Sequence, residues 1–294
     1  MTEIRPRRSV LSMPGSNARA LEKARGLPCD VVMIDLEDAV APEAKAEARA
    51  AVAAAVAARG FGRREVVVRI NPLDGDHGED DLAALAPAGP DAVLVPKVAG
   101  ADALVAVGSR LRRLKAPPQT RIWAMIESPL AILNLADIAS AARDVDVRLA
   151  CLVVGPNDLL KAGRLRPVPG RAPLMPWLMS AVAAARAYEI DVIDGIYNAF
   201  DDAAGFAAEC AQGRDCGFDG KMLIHPSQVE PANAAFGPAP EEIAEAEALI
   251  AAFSEPGNRG RGAIPFRGRM VERLHAEEAR RVLALAESIA QLRA

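Results

Sequence analysis

Histidine is scarce in this chain. There are three in 294 residues, and His77, His225 and His275 stand far apart. That spacing excludes the paired-histidine zinc motifs. Cysteine is nearly as rare, and Cys29, Cys151, Cys210 and Cys216 show no metal-knuckle spacing. Cys29 and Cys151 lie in or beside apolar strand contexts, which predicts buried thiols in a reduced, cytoplasmic protein. No apolar run is long enough to span a bilayer, and no apolar leader core stands near the first residues. A membrane partner is therefore not expected. Nor is there a basic block: arginine is frequent but mixed with Glu and Asp, at a net charge of −4 and a pI of about 5.6. This argues against nucleic acid.

What is present is a regular alternation. At 51% apolar residues the chain can bury a sizeable core. Short β-branched runs at Ser9–Met13, Val31–Asp35, Glu65–Ile70, Ala92–Pro96, Arg121–Ile126, Leu149–Val154, Asp191–Asp194 and Gly220–Ile224 predict strands. Between them, segments such as Pro42–Ala58, Ala101–Leu114, Leu130–Ala142, Leu174–Ala187 and Ala203–Cys210 predict helices. Eight βα units fit a (β/α)8 TIM barrel over residues 1–235. A doubly wound sheet competes less well, because Pro14-Gly15-Ser16-Asn17 stands where a Gly-x-Gly-x-x-Gly turn would follow the first strand. Residues 236–294 read as a C-terminal helical extension: a helix at Pro240–Phe253, a Gly/Pro/Arg-rich loop at Glu255–Arg267, and a helix at Glu277–Leu292 opened by Glu277 and Glu278. The extension is expected to pack on the barrel or on a neighbouring subunit.

Barrel chemistry sits at the C-terminal ends of the strands. The strand exits read Asp35-Leu36-Glu37-Asp38, Arg69-Ile70-Asn71, Pro96-Lys97, Glu127, Asn157-Asp158, Asp194-Gly195 and His225-Pro226. Seven consecutive strands thus bring ionisable side chains to one end. Glu127 and Asp158 close strands expected to be buried, and together they form a candidate oxygen-ligand site for a hard divalent cation, magnesium or manganese. Arg69, ending Val66-Val67-Val68, is costly to bury unless an anion meets it, which points to substrate binding. Structural roles fit other residues: Asp35 as a loop organiser, Asp194 as a turn residue, and Ser227 as a helix cap after His225. Lys97 fits either a counter-ion to Asp35 or a ligand-binding residue.

These residues carry a resemblance. Arg8-Ser9-Val10-Leu11, Pro14-Gly15-Ser16-Asn17, Asp35-Leu36-Glu37-Asp38-Ala39-Val40, Val68-Arg69-Ile70-Asn71, Pro96-Lys97, Met125-Ile126-Glu127, Gly155-Pro156-Asn157-Asp158-Leu159 and Gly220-Lys221…Ile224-His225-Pro226-Ser227-Gln228 resemble the citrate lyase beta-subunit-like group of the HpcH/HpaI aldolase family. That group includes malyl-CoA and citramalyl-CoA lyases, and the likeness runs from about Arg8 to His275. It implies a TIM barrel, assembled as a homotrimer or dimer of trimers, that binds Mg2+, a CoA thioester and a 2-oxo acid. It implies metal ligation by Glu127 and Asp158, oxo-acid contact by Arg69, and an acidic pair beside the site in Glu37 and Asp38. The turn at Gly155-Pro156 would hold the substrate carboxylate.

Two departures stand out. Asn157 occupies a position that is commonly acidic in the family, as it also does in related phosphoenolpyruvate-utilising enzymes. In the C-terminal segment, Gly268-Arg269-Met270-Val271 is followed by Glu272, where lyase-like members carry an aspartate that enters a neighbour's active site. The implied reaction is reversible carbon–carbon cleavage of a 3-hydroxyacyl-CoA into an acyl-CoA and a 2-oxo acid. Glu272, or the Glu37/Asp38 pair, would move the proton. Arg19, Lys23 and Arg25 are candidates for the CoA phosphates. Competing readings are a CoA-independent 2-oxo-acid aldolase, a malyl-CoA thioesterase and a non-catalytic CoA-ester-binding subunit.

Overall fold

The computed structural model describes residues 4–293; residues 1–3 and 294, the outermost of the two expected segments, lie outside it. Eight parallel strands close into a barrel in sequence order. They are β1 (Ser9–Pro14), β2 (Val31–Asp35), β3 (Glu65–Arg69), β4 (Ala92–Val95), β5 (Arg121–Ile126), β6 (Leu149–Val154), β7 (Asp191–Asp194) and β8 (Gly220–Leu223). Pairing of Ser9 with Lys221 closes the ring. Each predicted strand is present, within one residue at either end. Their β-branched runs suit a pleated surface buried on both faces. Val10, Val31, Met33, Val67, Leu94, Trp123, Met125, Cys151, Val153, Ile193 and Met222 form the interior cluster.

The crossovers carry α1 (Ala18–Ala24), α2 (Lys45–Ala57), α3 (Gly78–Ala88), α4 (Ala101–Arg113), α5 (Pro129–Leu133), α6 (Leu135–Ser140), α7 (Pro156–Gly163), α8 (Met175–Ala187), α9 (Ala203–Asp215) and α10 (Val229–Phe236). The helix predicted over Leu130–Ala142 is broken at Asn134 (φ −103°, ψ 14°), whose side-chain amide donates to the Ala99 carbonyl at 2.7 Å. That tertiary bond outweighs the local propensity to continue. Conversely, α9 runs on to Asp215, past the predicted end at Cys210.

The chain divides into two compact units, Arg7–Ala235 and the segment from Phe236 onward together with residues 4–6. In the second unit α11 (Pro240–Ser254) is joined to α12 (Arg273–Arg293) through an antiparallel hairpin, β9 (Ala263–Phe266) and β10 (Arg269–Glu272). The sequence reading of Glu255–Arg267 as loop missed β9. It also started the last helix too late, so Glu277 and Glu278 lie in its second turn and do not open it. The hairpin forms because Ile264, Phe266 and Val271 bury one face against Ala246, Leu249 and Ala279. Arg267 and Gly268, at φ +49° and +79°, make the tight connection. Among the described residues no helix is long and apolar enough to cross a membrane. Cys29, Cys151 and Cys210 are buried free thiols.

Candidate active site

Strand side chains alternate, so the inward face can be counted from the core layer. Met33, Val67, Met125 and Val153 belong to the interior cluster. Two residues onward stand Asp35, Arg69, Glu127 and Gly155, which places all four on the inward face at the barrel's C-terminal mouth.

Arg69 is clamped there. Its Nε and Nη2 donate to the two oxygens of Asp35 at 2.7 and 2.5 Å, and its Nη1 lies 3.0 Å from Glu37 and 3.6 Å from Asp38. The anion that a buried arginine requires is therefore supplied first by the protein. Burial alone would depress the Arg69 pKa, but the Asp35 hydrogen bonds and charge, with Glu37 and Asp38 behind them, raise it. Asp35 also accepts from the amides of Glu37 (2.8 Å) and Ala39 (3.0 Å), the loop-organising role expected of it. With both Asp35 oxygens taken, Lys97 is not its counter-ion. The Lys97 ammonium instead lies 2.7 Å from Glu37. Glu37 meets Lys97 and Arg69 as ion pairs by proximity, at angles outside hydrogen-bond geometry. Burial pushes its carboxyl pKa up against the pull of both cations.

Glu127 is held from one side only. Lys97, in the left-handed region at φ +53°, aims its backbone N–H at Glu127 Oε1 from 2.6 Å. Oε2 is buried and has no hydrogen-bond partner. Burial pushes the Glu127 pKa up to about 7, with repulsion from Glu37 and Asp158 adding to it and the Lys97 amide opposing it. Gly155 makes this placement possible: a Cβ there would lie 2.6 Å from Glu127 Cβ and 3.0 Å from Oε2. Asp158 rises from the first turn of α7 into a cleft of about 260 Å³, lined also by Lys97, Glu127, Ser128 and Lys161. Among the described residues no group of three or more His, Cys, Asp or Glu side chains is set to hold a metal. A pair of carboxylates with one orphaned oxygen fits Mg2+, which is bound through one or two carboxylates plus water and substrate oxygens. The donor set therefore accepts the ion.

The remaining predicted residues divide. The Gly155 N–H is taken by the Ile126 carbonyl at 2.9 Å and Pro156 carries none, so the amides open to a carboxylate at this turn are those of Asn157 and Asp158. Asn157 pairs amide to amide with Asn198, which donates to it at 2.8 Å and ties the β6 and β7 loops together. Asp194 is no turn residue of the mouth. Ile193 faces inward, so Asp194 faces outward, where it meets Lys221 at 2.9 Å and Arg171 at 2.7 Å. His225, not Ser227, caps the short turn after β8: Ser227 N–H donates to its ring nitrogen and Gln228 closes the box. Glu272 ends β10 in the C-terminal unit and is exposed. Lys161 was missed by sequence reading. Its signal was its spacing, three residues after Asp158 on one helix face. The left-handed backbone of Lys97 left no signal.

The profile of the HpcH/HpaI aldolase/citrate lyase family matches residues 8–226. The chain is 46% identical to the (3S)-malyl-CoA thioesterase of Cereibacter sphaeroides over 99% of both chains. It is 33% identical to citrate lyase subunit beta of Escherichia coli, over 97% of this chain and 95% of that one. The structure of CitE from Mycobacterium tuberculosis in complex with magnesium, acetoacetate and coenzyme A superposes with a TM-score of 0.75 at 28% identity, covering 95% of this chain and 97% of that one. With a closed eightfold barrel carrying its polar cluster at the strand exits, this chain belongs to the HpcH/HpaI aldolase/citrate lyase family.

Proposed function

We propose that the chain is a Mg2+-dependent thioesterase that hydrolyses a malyl-CoA-type 3-hydroxyacyl thioester. The observation that carries this reading is the near-full-length likeness to (3S)-malyl-CoA thioesterases. The orphaned Glu127 oxygen beside Asp158, and the magnesium in the CitE complex, support the metal. Glu127 and Asp158 would hold Mg2+, which supplies Lewis-acid polarisation of the substrate oxygens when bound. The free amides of Asn157 and Asp158 at the start of α7 would meet the substrate carboxylate. Arg69, already saturated by Asp35 along one edge, would turn Nη1, the nitrogen that faces Glu37 and Asp38, toward the same anion.

Hydrolysis needs a base for the attacking water. The carbon–sulfur bond breaks, the water oxygen bonds to the carbonyl carbon, and the water's protons pass to the base and to the departing CoA thiolate. Asp38 suits this task better than Glu37. It is 58% exposed and touches Arg69 only at 3.6 Å, whereas Glu37 is locked between two cations. Glu272 from a neighbouring copy is the second candidate, with the C-terminal unit packing on that neighbour in a cytoplasmic homotrimer or dimer of trimers.

A second reading is favoured by the likeness to citrate lyase subunit beta: the same site would cleave the carbon–carbon bond and release an acyl-CoA and a 2-oxo acid. Product analysis separates the two. With (3S)-malyl-CoA and Mg2+, hydrolysis yields malate and free CoA thiol, which a thiol reagent titrates one for one. Cleavage yields acetyl-CoA and glyoxylate with no thiol. Turnover of none of the malyl-, citramalyl- or citryl-CoA esters would overturn both readings.

A further inference from the structure

Three arginines of the C-terminal unit lie within ion-pair distance of a glutamate. Arg267 and Arg269 both reach Glu245, and Arg281 lies 3.8 Å from Glu278. Arg261, Arg273 and Arg280 differ: among the described residues none of them has an acidic side chain within ion-pair distance, and none lies over an aromatic ring. Instead they line one cavity of about 260 Å³, with Phe253, Gly260 and Glu277.

The placement is built, not accidental. Arg273 Nε and Nη2 donate to the carbonyls of Arg261 (3.1 Å) and Gly260 (3.0 Å), and its amide donates to the Gly262 carbonyl at 3.1 Å. These bonds fold the glycine-rich loop back over the first turn of α12. Arg273, Glu277 and Arg280 share one face of that helix by their spacing of four and three. At Gly260, φ is +81° and an added Cβ would meet nothing within 4 Å, so the backbone there is open to approach. Three arginines facing one glutamate leave a surplus of positive charge. Like charges drawn together with no acidic side chain at ion-pair distance repel, and an incoming anion relieves that repulsion. The guanidinium fork is suited above all to carboxylate and phosphate oxygens.

We propose that this cavity binds a phosphoryl group, carried on a ligand whose flat or apolar part lies against Phe253. The site goes beyond the proposed reaction, because none of the strand-exit residues takes part in it. Its source is either the phosphates of a CoA-type substrate or a separate phosphorylated effector. This contrasts with Arg19, Lys23 and Arg25, the candidates read from sequence: Arg25 is committed to Glu22 at 3.0 Å and to the Phe61 ring.

The test is calorimetric titration of the full chain with inorganic pyrophosphate at fixed ionic strength. Arg261→Ala/Arg280→Ala is expected to weaken binding at least tenfold, with Arg261→Lys/Arg280→Lys in between because charge is kept and the fork is lost. Both residues are exposed, so the fold should survive, as circular dichroism would check. Displacement of pyrophosphate by CoA but not by pantetheine assigns the site to the substrate's own phosphates; no displacement by CoA assigns it to an effector, and either result upholds the site. Absence of pyrophosphate binding, an unchanged affinity in the double variant, or loss of binding in Arg19→Ala/Lys23→Ala instead would overturn it.

Discussion

The two ends of the barrel each bury an arginine clamped by a carboxylate, yet they are built for different tasks. At the N-terminal end Arg7 sends Nε and Nη2 to Glu65, both at 2.8 Å, sends Nη1 to Asp191 at 2.6 Å, and lies over the Trp123 ring at 4.9 Å. At the mouth Arg69 is held as tightly by Asp35, but Glu37, Asp38, Glu127 and Asp158 crowd in behind it and one Glu127 oxygen stays orphaned. In the first cluster every guanidinium nitrogen meets a carboxylate of the protein. The second has more carboxylates than its cations can satisfy and waits for something positive. A buried charge that is fully paired contributes to a defined structure, whereas an incompletely paired one marks a ligand site.

Removing the partner should therefore cost stability at one end and activity at the other. The largest effect is expected for Arg7→Met, which strips Glu65 and Asp191 of their guanidinium. It should lower stability by about 3–5 kcal/mol, read by urea titration, while the folded fraction keeps its metal affinity. If Arg7→Met instead left stability intact and abolished Mg2+ binding, the contrast between the ends would be reversed.

Asp194 tests the same rule in the layer between sheet and helices. Burial alone would raise its pKa, but Lys221 and Arg171 outweigh burial and hold it below the usual carboxylate value. A depressed folded-state pKa gives stability that is full above the unfolded value, near 4, and drains away as pH falls through the folded one. Asp194→Asn should be clearly less stable than the parent at neutral pH. The gap should narrow on acidification below about pH 4, in melts followed by circular dichroism. A gap constant with pH would contradict the assignment.

Glu127→Gln is expected to reverse the Arg7 result. Turnover should fall at least about 100-fold, equivalent to about 2.7 kcal/mol, and Mg2+ should no longer raise the melting temperature. The metal-free variant should melt no lower than the parent, because a buried, partly unpaired carboxylate has been neutralised. Full metal-dependent turnover would sink the metal assignment. The smallest effect should come from Gly155→Ala. Its methyl group must displace Glu127, costing about 1–3 kcal/mol as overpacking, with weakened Mg2+ affinity measured by calorimetry and the strand pairings intact.

Much of this was legible in the chain. The eight strands were readable because β-branched runs separated by helical periods leave few other architectures, and their exits identified Asp35, Arg69, Glu127 and Asp158. The hairpin β9–β10 was not readable, since its short strands hold only through burial against α11 and α12. The break in the helix at Asn134 depends on a carbonyl 35 residues away, and no local pattern encodes it.

The sequence by itself determined the barrel, and with it which residues stand at the mouth, because a period of two and the apolar pattern are local properties. Only the tertiary structure decided which of them share charge. It gave Asp35 rather than a ligand to Arg69, gave Glu37 rather than Asp35 to Lys97, and gave Lys221 to Asp194. It also left Glu127 with an unpartnered oxygen. Pairing is a matter of ångströms between strands distant in sequence, and it is fixed when the ring closes.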